Sequence, residues 1–401
     1  MAYLDHAATT PVRPEATAAW LAAPGGNASS LHATGRAARR VLEEAREALA
    51  AELACDAGDV IFTSGGTMAD NLAVRGIHAA RHAQDPARDT VIVSAVEHHA
   101  VLDAAEAVAA ADDGQRVVRL PVDSEGRVLV DDAAAILAAD AGRVSVMSVM
   151  SANNEVGTVQ PIGKLAELAA AHGVPLHVDA VQSAGWWGSP PAPGAAYAIS
   201  GHKFGAPIGV GALVLPPGVP CDPLVFGGGQ ERRLHSGTLD VAGAAAMAAA
   251  LRAARASDLA SAEAGVTVAQ LRDEVIEVVV AADPGVRVVT PDDALPGIVC
   301  AVFDGCEADA LLMLLDAAGV ECSAGSACTA GIPEPSHVLE AMGYDRIQAR
   351  SALRFSLGWT STRADVEALA RALPDAVIRA RRASTPGRER QMPAAGARRA
   401  S

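Results

Sequence analysis

Residues 60–68 read Val-Ile-Phe-Thr-Ser-Gly-Gly-Thr-Met, VIFTSGGTM. A short apolar run led by β-branched residues has the length and composition of a buried strand. Ser64-Gly65-Gly66-Thr67 is a tight turn of small residues, and a helical pattern starts at Met68. Upstream, residues 35–53 form a helical pattern with Val41, Ala45, Leu49 and Leu53 on one face. The same alternation continues downstream. Apolar runs at 90–93, 116–120, 144–149, 174–178 and 195–199 are mostly separated by helical segments of about 10–15 residues, and 209–215 is a further strand. This spacing predicts βα units on a mainly parallel seven-stranded sheet covered by helices.

From about residue 259 the pattern changes. A helix over 259–280 precedes strands near 287–289 and 298–303, a helix over 307–317, a strand at 352–357 and a last helix from Thr362. The expectation is a smaller α+β domain with antiparallel strands. The predicted organisation is therefore a large α/β domain ending at 257, a small α+β domain over 258–383 and a disordered basic tail over 384–401; that 1–15 returns to the small domain, so that the large one spans 16–257, is implied by the family resemblance that the chain's motifs carry.

A chain of 401 residues is long enough for more than one core. The formal net charge of −15 argues against nucleic acid as a direct ligand. That charge is uneven: from Arg379 onward there are seven Arg and one Glu, net +6, which leaves −21 on the preceding body. The tail is either a solvated appendage or a docking arm for an acidic partner. No long apolar segment and no signal-like N-terminus is evident, so a cytoplasmic protein without membrane association is expected. The six cysteines, at 55, 221, 300, 306, 322 and 328, contain no CxxC pair, which excludes that zinc signature and makes a disulfide framework unexpected.

In open α/β sheets ligands bind beyond the carboxyl ends of the strands, so the residues after each strand carry the functional reading. Ser64-Gly65-Gly66-Thr67 opens a helix, where free N–H groups and the dipole suit phosphate; glycine is also what a tight turn needs. Glu97-His98-His99 follows the next strand. Its adjacent histidines diverge and cannot chelate one metal, and a surface helix start explains them equally well. Asn153-Asn154-Glu155-Val156-Gly157 reads as a polar cluster or a turn. Asp179, with Gln182 three residues on, puts a carboxylate at a strand end, or is a plain helix N-cap. Ser200-Gly201-His202-Lys203 closes the set. Of 32 basic side chains only Lys164 and Lys203 are lysines. Lys164 stands at an apparent surface helix start, whereas Lys203 follows a strand. A phosphate cup, an aromatic ring, a carboxylate and a lysine are what pyridoxal 5'-phosphate requires, with the carboxylate keeping its ring nitrogen protonated.

Further motifs complete the pattern: Tyr3-Leu4-Asp5-His6-Ala7-Ala8-Thr9-Thr10-Pro11, Gly227-Gly228-Gly229-Gln230-Glu231, Ser236-Gly237-Thr238, Gly325-Ser326-Ala327-Cys328, Glu334-Pro335-Ser336-His337 and Arg354-Phe355-Ser356-Leu357-Gly358. With the strand-end motifs, these run in the order of the cysteine desulfurases to about residue 380. The chain resembles that family, which belongs to the class V aminotransferase group with the type I pyridoxal-phosphate fold.

The resemblance implies a role for each matched position. Lys203 would hold the cofactor and move the Cα proton, Asp179 would pair with the ring nitrogen and Gln182 with the phenolic oxygen. His98 would stack on the ring and shuttle protons. Gly66, Thr67, Ser200 and His202 would bind the phosphate, and Thr238 would reach the phosphate of a partner subunit, implying a homodimer. Asn154 and Arg354 would hold the L-cysteine substrate, joined by Asn27. Cys328 would take the substrate's sulfur as a persulfide, leaving L-alanine, and pass it to a sulfur acceptor or iron–sulfur scaffold protein. Any metal contact at Cys328 would be transient, through an iron–sulfur cluster on that partner. The destinations this allows are iron–sulfur cluster assembly, tRNA thiolation or DNA thiolation.

Cys328 lies in 325–331, GSACTAG, where six small neighbours cannot bury a thiol under bulk; that composition suits a thiol that must reach a target. Three positions depart from the family pattern: Ala28 where proline is usual after Asn27, Ile208 where lysine is common, and His235 where arginine is frequent. The alternatives are a selenocysteine lyase or another class V pyridoxal-phosphate enzyme. An aminotransferase needs no nucleophilic thiol, and a non-catalytic sulfur-trafficking scaffold needs none of Lys203, Asp179, His98 or Cys328.

Overall fold

The computed structural model describes residues 1–111, 114–186, 192–257, 262–325 and 334–384. Its largest sheet has seven strands, in the spatial order Val60–Thr63, Gly211–Val214, Ala196–Ser200, Leu176–Asp179, Val144–Ser148, Thr90–Ser94 and Arg116–Leu120. Gly211–Val214 runs antiparallel to both neighbours, and every other pairing is parallel. The mainly parallel α/β expectation therefore holds. Six strands are buried along their whole length, which is why they read as continuous apolar runs; in the edge strand Arg116–Leu120 only Leu120 is buried. Gly211 is a steric requirement: a Cβ there would stand 2.6 Å from the Gly65 carbonyl carbon. The turn after the first sheet strand thus packs directly on the antiparallel one.

A second sheet of four strands is antiparallel throughout, in the order Ser323–Ala324, Ala352–Ser356, Ile298–Val302, Arg287–Val288. Helices Val268–Ala282, Ala308–Ala317 and Arg363–Ser384 share a core with it through Leu271, Val275, Phe303, Leu311, Phe355 and Leu369. The N-terminal strand Ala2–Tyr3 pairs in parallel with Val320–Glu321, and Asp5 bridges to Ser356.

The helix expected over 259–280 begins at Val268, because Thr267 and Gln270 form a reciprocal capping box. Ser384, counted with the tail, is the last residue of helix Arg363–Ser384, its hydroxyl donating to the Ala380 carbonyl at 3.1 Å. The rest of the tail, 385–401, lies outside the described residues, as does Cys328.

Candidate active site

The carboxyl ends of the parallel strands open into a cavity of about 430 Å³. Its wall contains Gly66, Thr67, His98, Asn154, Asp179, Gln182, Ser200, His202, Lys203 and Arg354. The chain has brought ten of the expected site residues to one place, from five strand ends and the antiparallel sheet. A cavity of a few hundred Å³ is the usual size for a cofactor-bearing site.

Each side chain is set by the element that ends beside it. Gly65 and Gly66 lead into helix Gly66–Asn71. At Gly66 a Cβ would lie 2.6 Å from Val181 Cγ2 and 3.2 Å from Ser200 Cβ, so only glycine fits against these neighbours. Asp179 ends its strand, and its Oδ1 accepts the Val181 N–H at 2.8 Å. Lys203 ends the short 3-10 turn after Ala196–Ser200, and its ammonium donates to the carbonyls of Ala7 (2.6 Å) and Ala8 (3.0 Å). Gln182 Nε2 donates to the same Ala7 carbonyl at 2.9 Å. The His202 ring meets Thr9 Oγ1 at 3.0 Å. His98 caps helix His99–Ala109, its Nδ1 accepting the Ala100 N–H at 3.1 Å. That contact leaves the ring proton on Nε2, and burial together with Lys203 pushes the ring's pKa down to about 4, so it is neutral at pH 7.

Arg354 Nη2 donates to Asp5 Oδ1 at 2.8 Å and Nη1 to the Asn154 carbonyl at 2.9 Å. Asp5 and Arg354 are 349 positions apart, so no local signal reveals that the N-terminal segment orients this guanidinium. Asn27 and Thr238 are not brought to the cavity within one chain. Both are exposed, and the Asn27 carboxamide oxygen is engaged by the Ser29 N–H at 2.9 Å in its own loop.

Beneath the cavity lies a set of buried acids to which the sequence reading gave no role. Glu97 Oε1 accepts Ser94 Oγ and the Met150 N–H, each at 2.6 Å, while Oε2 has no hydrogen-bond partner among the described residues. Burial pushes Glu97 up to about 8. Asp70, on the cavity wall, is raised strongly by burial and by the charges of Asp179 and Glu97. His177 Nε2 stands 3.5 Å from Asp70 Oδ1, but burial drives the imidazole down to about 3. With the acid raised and the base lowered, this contact is a neutral pair rather than a salt bridge. Burial also pushes Asp179 up to about 6, and the nearby Lys203 opposes this. Such a carboxylate gains most from a cationic hydrogen-bond donor in the cavity, which a protonated pyridine nitrogen is. The glycine floor, the carboxylate, the lysine and the histidine ring fit pyridoxal 5'-phosphate.

A pH dependence follows. Folded Glu97 holds its proton up to about 8, against 4.5 as the ordinary value. Between those values the native state binds more protons than the unfolded chain, so stability falls as pH rises, by up to about 1.4 kcal/mol per pH unit for one group. Glu97→Gln keeps the shape and removes one titration. Urea midpoints between pH 5 and 8 are expected to fall less steeply in this variant; a slope equal to wild type would show that Glu97 is ionised in the fold.

The family model described as Aminotransferase class-V matches residues 2–369. An IscS-like cysteine desulfurase of Mycobacterium tuberculosis (strain ATCC 25618 / H37Rv) is 50% identical over 392 residues, covering 96% of this chain and 98% of that protein. A cysteine desulfurase of Cereibacter sphaeroides is 41% identical over 399 residues, covering 96% and 98%. Among solved structures, a NifS-like protein superposes with a TM-score of 0.83 at 30% identity, covering 94% of this chain and 99% of that one. Among the described residues no helix is long and apolar enough to cross a membrane. The family match over nearly the whole length and the strand-end cavity agree: the chain belongs to the cysteine desulfurases of the class V aminotransferase family and is an enzyme of that kind.

Proposed function

We propose that the chain withdraws sulfur from L-cysteine, leaves L-alanine, and carries the sulfur as a persulfide on Cys328 to an acceptor protein. The observation that supports this most is the convergence of Lys203, Asp179, His98 and Arg354 on one cavity. Pyridoxal 5'-phosphate, held there, would supply an electron sink that acidifies the substrate Cα proton and weakens its Cβ–S bond. Gly66, Thr67, Ser200 and His202 hold the phosphate, Asp179 the ring nitrogen and Gln182 the phenolic oxygen. Arg354 and Asn154 hold the substrate carboxylate, with a planar guanidinium suited to two parallel hydrogen bonds. Lys203 anchors the cofactor and moves the Cα proton. His98, neutral and with its Nε2–H available, relays protons to or from the substrate.

The Cys328 thiolate attacks the substrate sulfur. One S–S bond forms as the Cβ–S bond breaks, and the electron pair left on carbon is protonated to give alanine. The other cysteines are poor candidates for this step. Burial pushes Cys55 up to about 11 and Cys221 and Cys322 to about 12, and it raises Cys300 and Cys306 as well. At neutral pH these thiols stay protonated and unreactive.

The same reading makes the enzyme a cytoplasmic homodimer. Thr238 lies outside its own cavity, free to serve a partner's, and Leu21, Leu31 and Phe226 are large apolar side chains left in solvent. It also groups 1–15 with 258–383 as one small domain beside 16–257. Iron–sulfur scaffolds and thiolation proteins are the acceptor classes; any metal at Cys328 would be the partner's cluster, in passing.

The assignment of Lys203 is tested by borohydride trapping of bound pyridoxal 5'-phosphate and peptide mapping. The mark is expected on Lys203, with the exposed Lys164 unmarked. A mark on Lys164 would overturn the assignment.

A further inference from the structure

Behind the active site lies a second, smaller cavity of about 50 Å³. Lys203 and Gln182 form part of both walls, so the two spaces are separated by the side chains that hold the Ala7 carbonyl. Its charged feature on the far side is Arg13, only 9% exposed.

The surroundings of Arg13 are built to hold its stem and leave its head unmatched. Nε donates to the Phe204 carbonyl at 3.1 Å, and the guanidinium lies 5.0 Å from the centre of the Trp359 ring. Gly205, with φ +96°, makes room for the stem: a Cβ there would come within 2.6 Å of Arg13 Cγ. Among the described residues neither Nη atom has a hydrogen-bond partner and no carboxylate lies within 4 Å of the group. No Asp or Glu is among the described residues lining the cavity. A guanidinium cannot shed its proton at physiological pH; burial works against its charge, and Glu15, beyond ion-pair distance, offsets this only in part. Its two open N–H pairs match a carboxylate in geometry and charge.

The size and walls narrow the ligand. At 10–15 Å³ per water-sized centre, this volume takes an anion of roughly three to five heavy atoms. Trp186, Ile298 and Leu357 supply an apolar side, which suits a methyl group better than further polar atoms.

We propose that this cavity is a binding site for a small aliphatic monocarboxylate of the size of formate or acetate, held by the Arg13 guanidinium and distinct from the substrate-carboxylate position at Arg354. A bound anion sits behind Lys203 and favours the protonated state of its amine, which gives small carboxylates a handle on the active site that does not pass through the substrate cavity.

The test uses the full chain loaded with pyridoxal 5'-phosphate and saturated with L-alanine, so that Arg354 is occupied. Acetate is titrated by calorimetry at constant ionic strength, with gluconate, too large for the cavity, as the balancing anion. Saturable acetate binding is expected, weakened by roughly tenfold or more in Arg13→Met, the loss of a charge-assisted hydrogen bond. Equal affinity in wild type and Arg13→Met, or no binding once alanine is present, would overturn the proposal. Bromide soaked into crystals of the wild-type enzyme gives a readout independent of how the variant folds. An anomalous peak beside the Arg13 Nη atoms is expected, and a cavity without a peak while bromide occupies other sites would reject the assignment.

Discussion

Cys328→Ser is expected to bind cysteine and form essentially no alanine. Substrate binding draws on Arg354 and Asn154 for the carboxylate and on Lys203 for proton movement, none of which this change touches. Sulfur removal needs a nucleophile that is ionised near neutral pH, and a serine hydroxyl is not. The five cysteines that remain cannot substitute, because burial raises every one of them; even Cys322, near Arg354 and Asp5, is pushed up to about 12. Removing a sole nucleophile typically costs on the order of 10³-fold or more in turnover. The experiment pairs two measurements: the cofactor absorbance on adding cysteine, which should still change, and alanine release, which should not occur. Alanine formation within a fewfold of wild type would remove Cys328 from the mechanism.

Lys203→Ala is expected to be comparably severe, by a different route. The side chain has two tasks, anchoring the cofactor and moving the Cα proton, and Lys164 is exposed on helix Ile162–Ala171, away from the cavity. General acid–base catalysis by one positioned group is worth about 10²–10⁴-fold, and loss of the anchor adds to that. The phosphate floor and Asp179 remain, so the variant should still take up pyridoxal 5'-phosphate, more weakly and without a borohydride-stable mark. A variant with near wild-type alanine release would show that another group moves the proton.

Much of the site was legible because its residues occupy a position that sequence can mark: the first few residues after a strand. Strand ends are visible as the stop of an apolar run, and the parallel topology obliges those ends to meet on one side of the sheet. Gly66, His98, Asp179 and Lys203 are all of this kind. The lysine was further singled out by number, since a chain with 32 basic residues and two lysines leaves little choice. Asn27 and Thr238 were legible only through the family resemblance, and a single chain does not bring either to the cavity.

What the sequence by itself determined was the alternation of buried strands and amphipathic helices, the change to antiparallel pairing after residue 259, and the identity of the strand-end groups. Those follow from backbone periodicity, which is local. Only the tertiary structure decided the charge states and the long-range partners. Glu97, Asp70 and His177 look like ordinary polar residues in the chain, and their shifts arise from burial by segments far away in sequence. Asp5 meets Arg354, and Arg13 lies against Phe204 and Trp359, because the N-terminal segment folds back across both sheets. Solvation and pairing depend on which surfaces exclude water together. That is a property of the packed chain and is set by no single stretch of it.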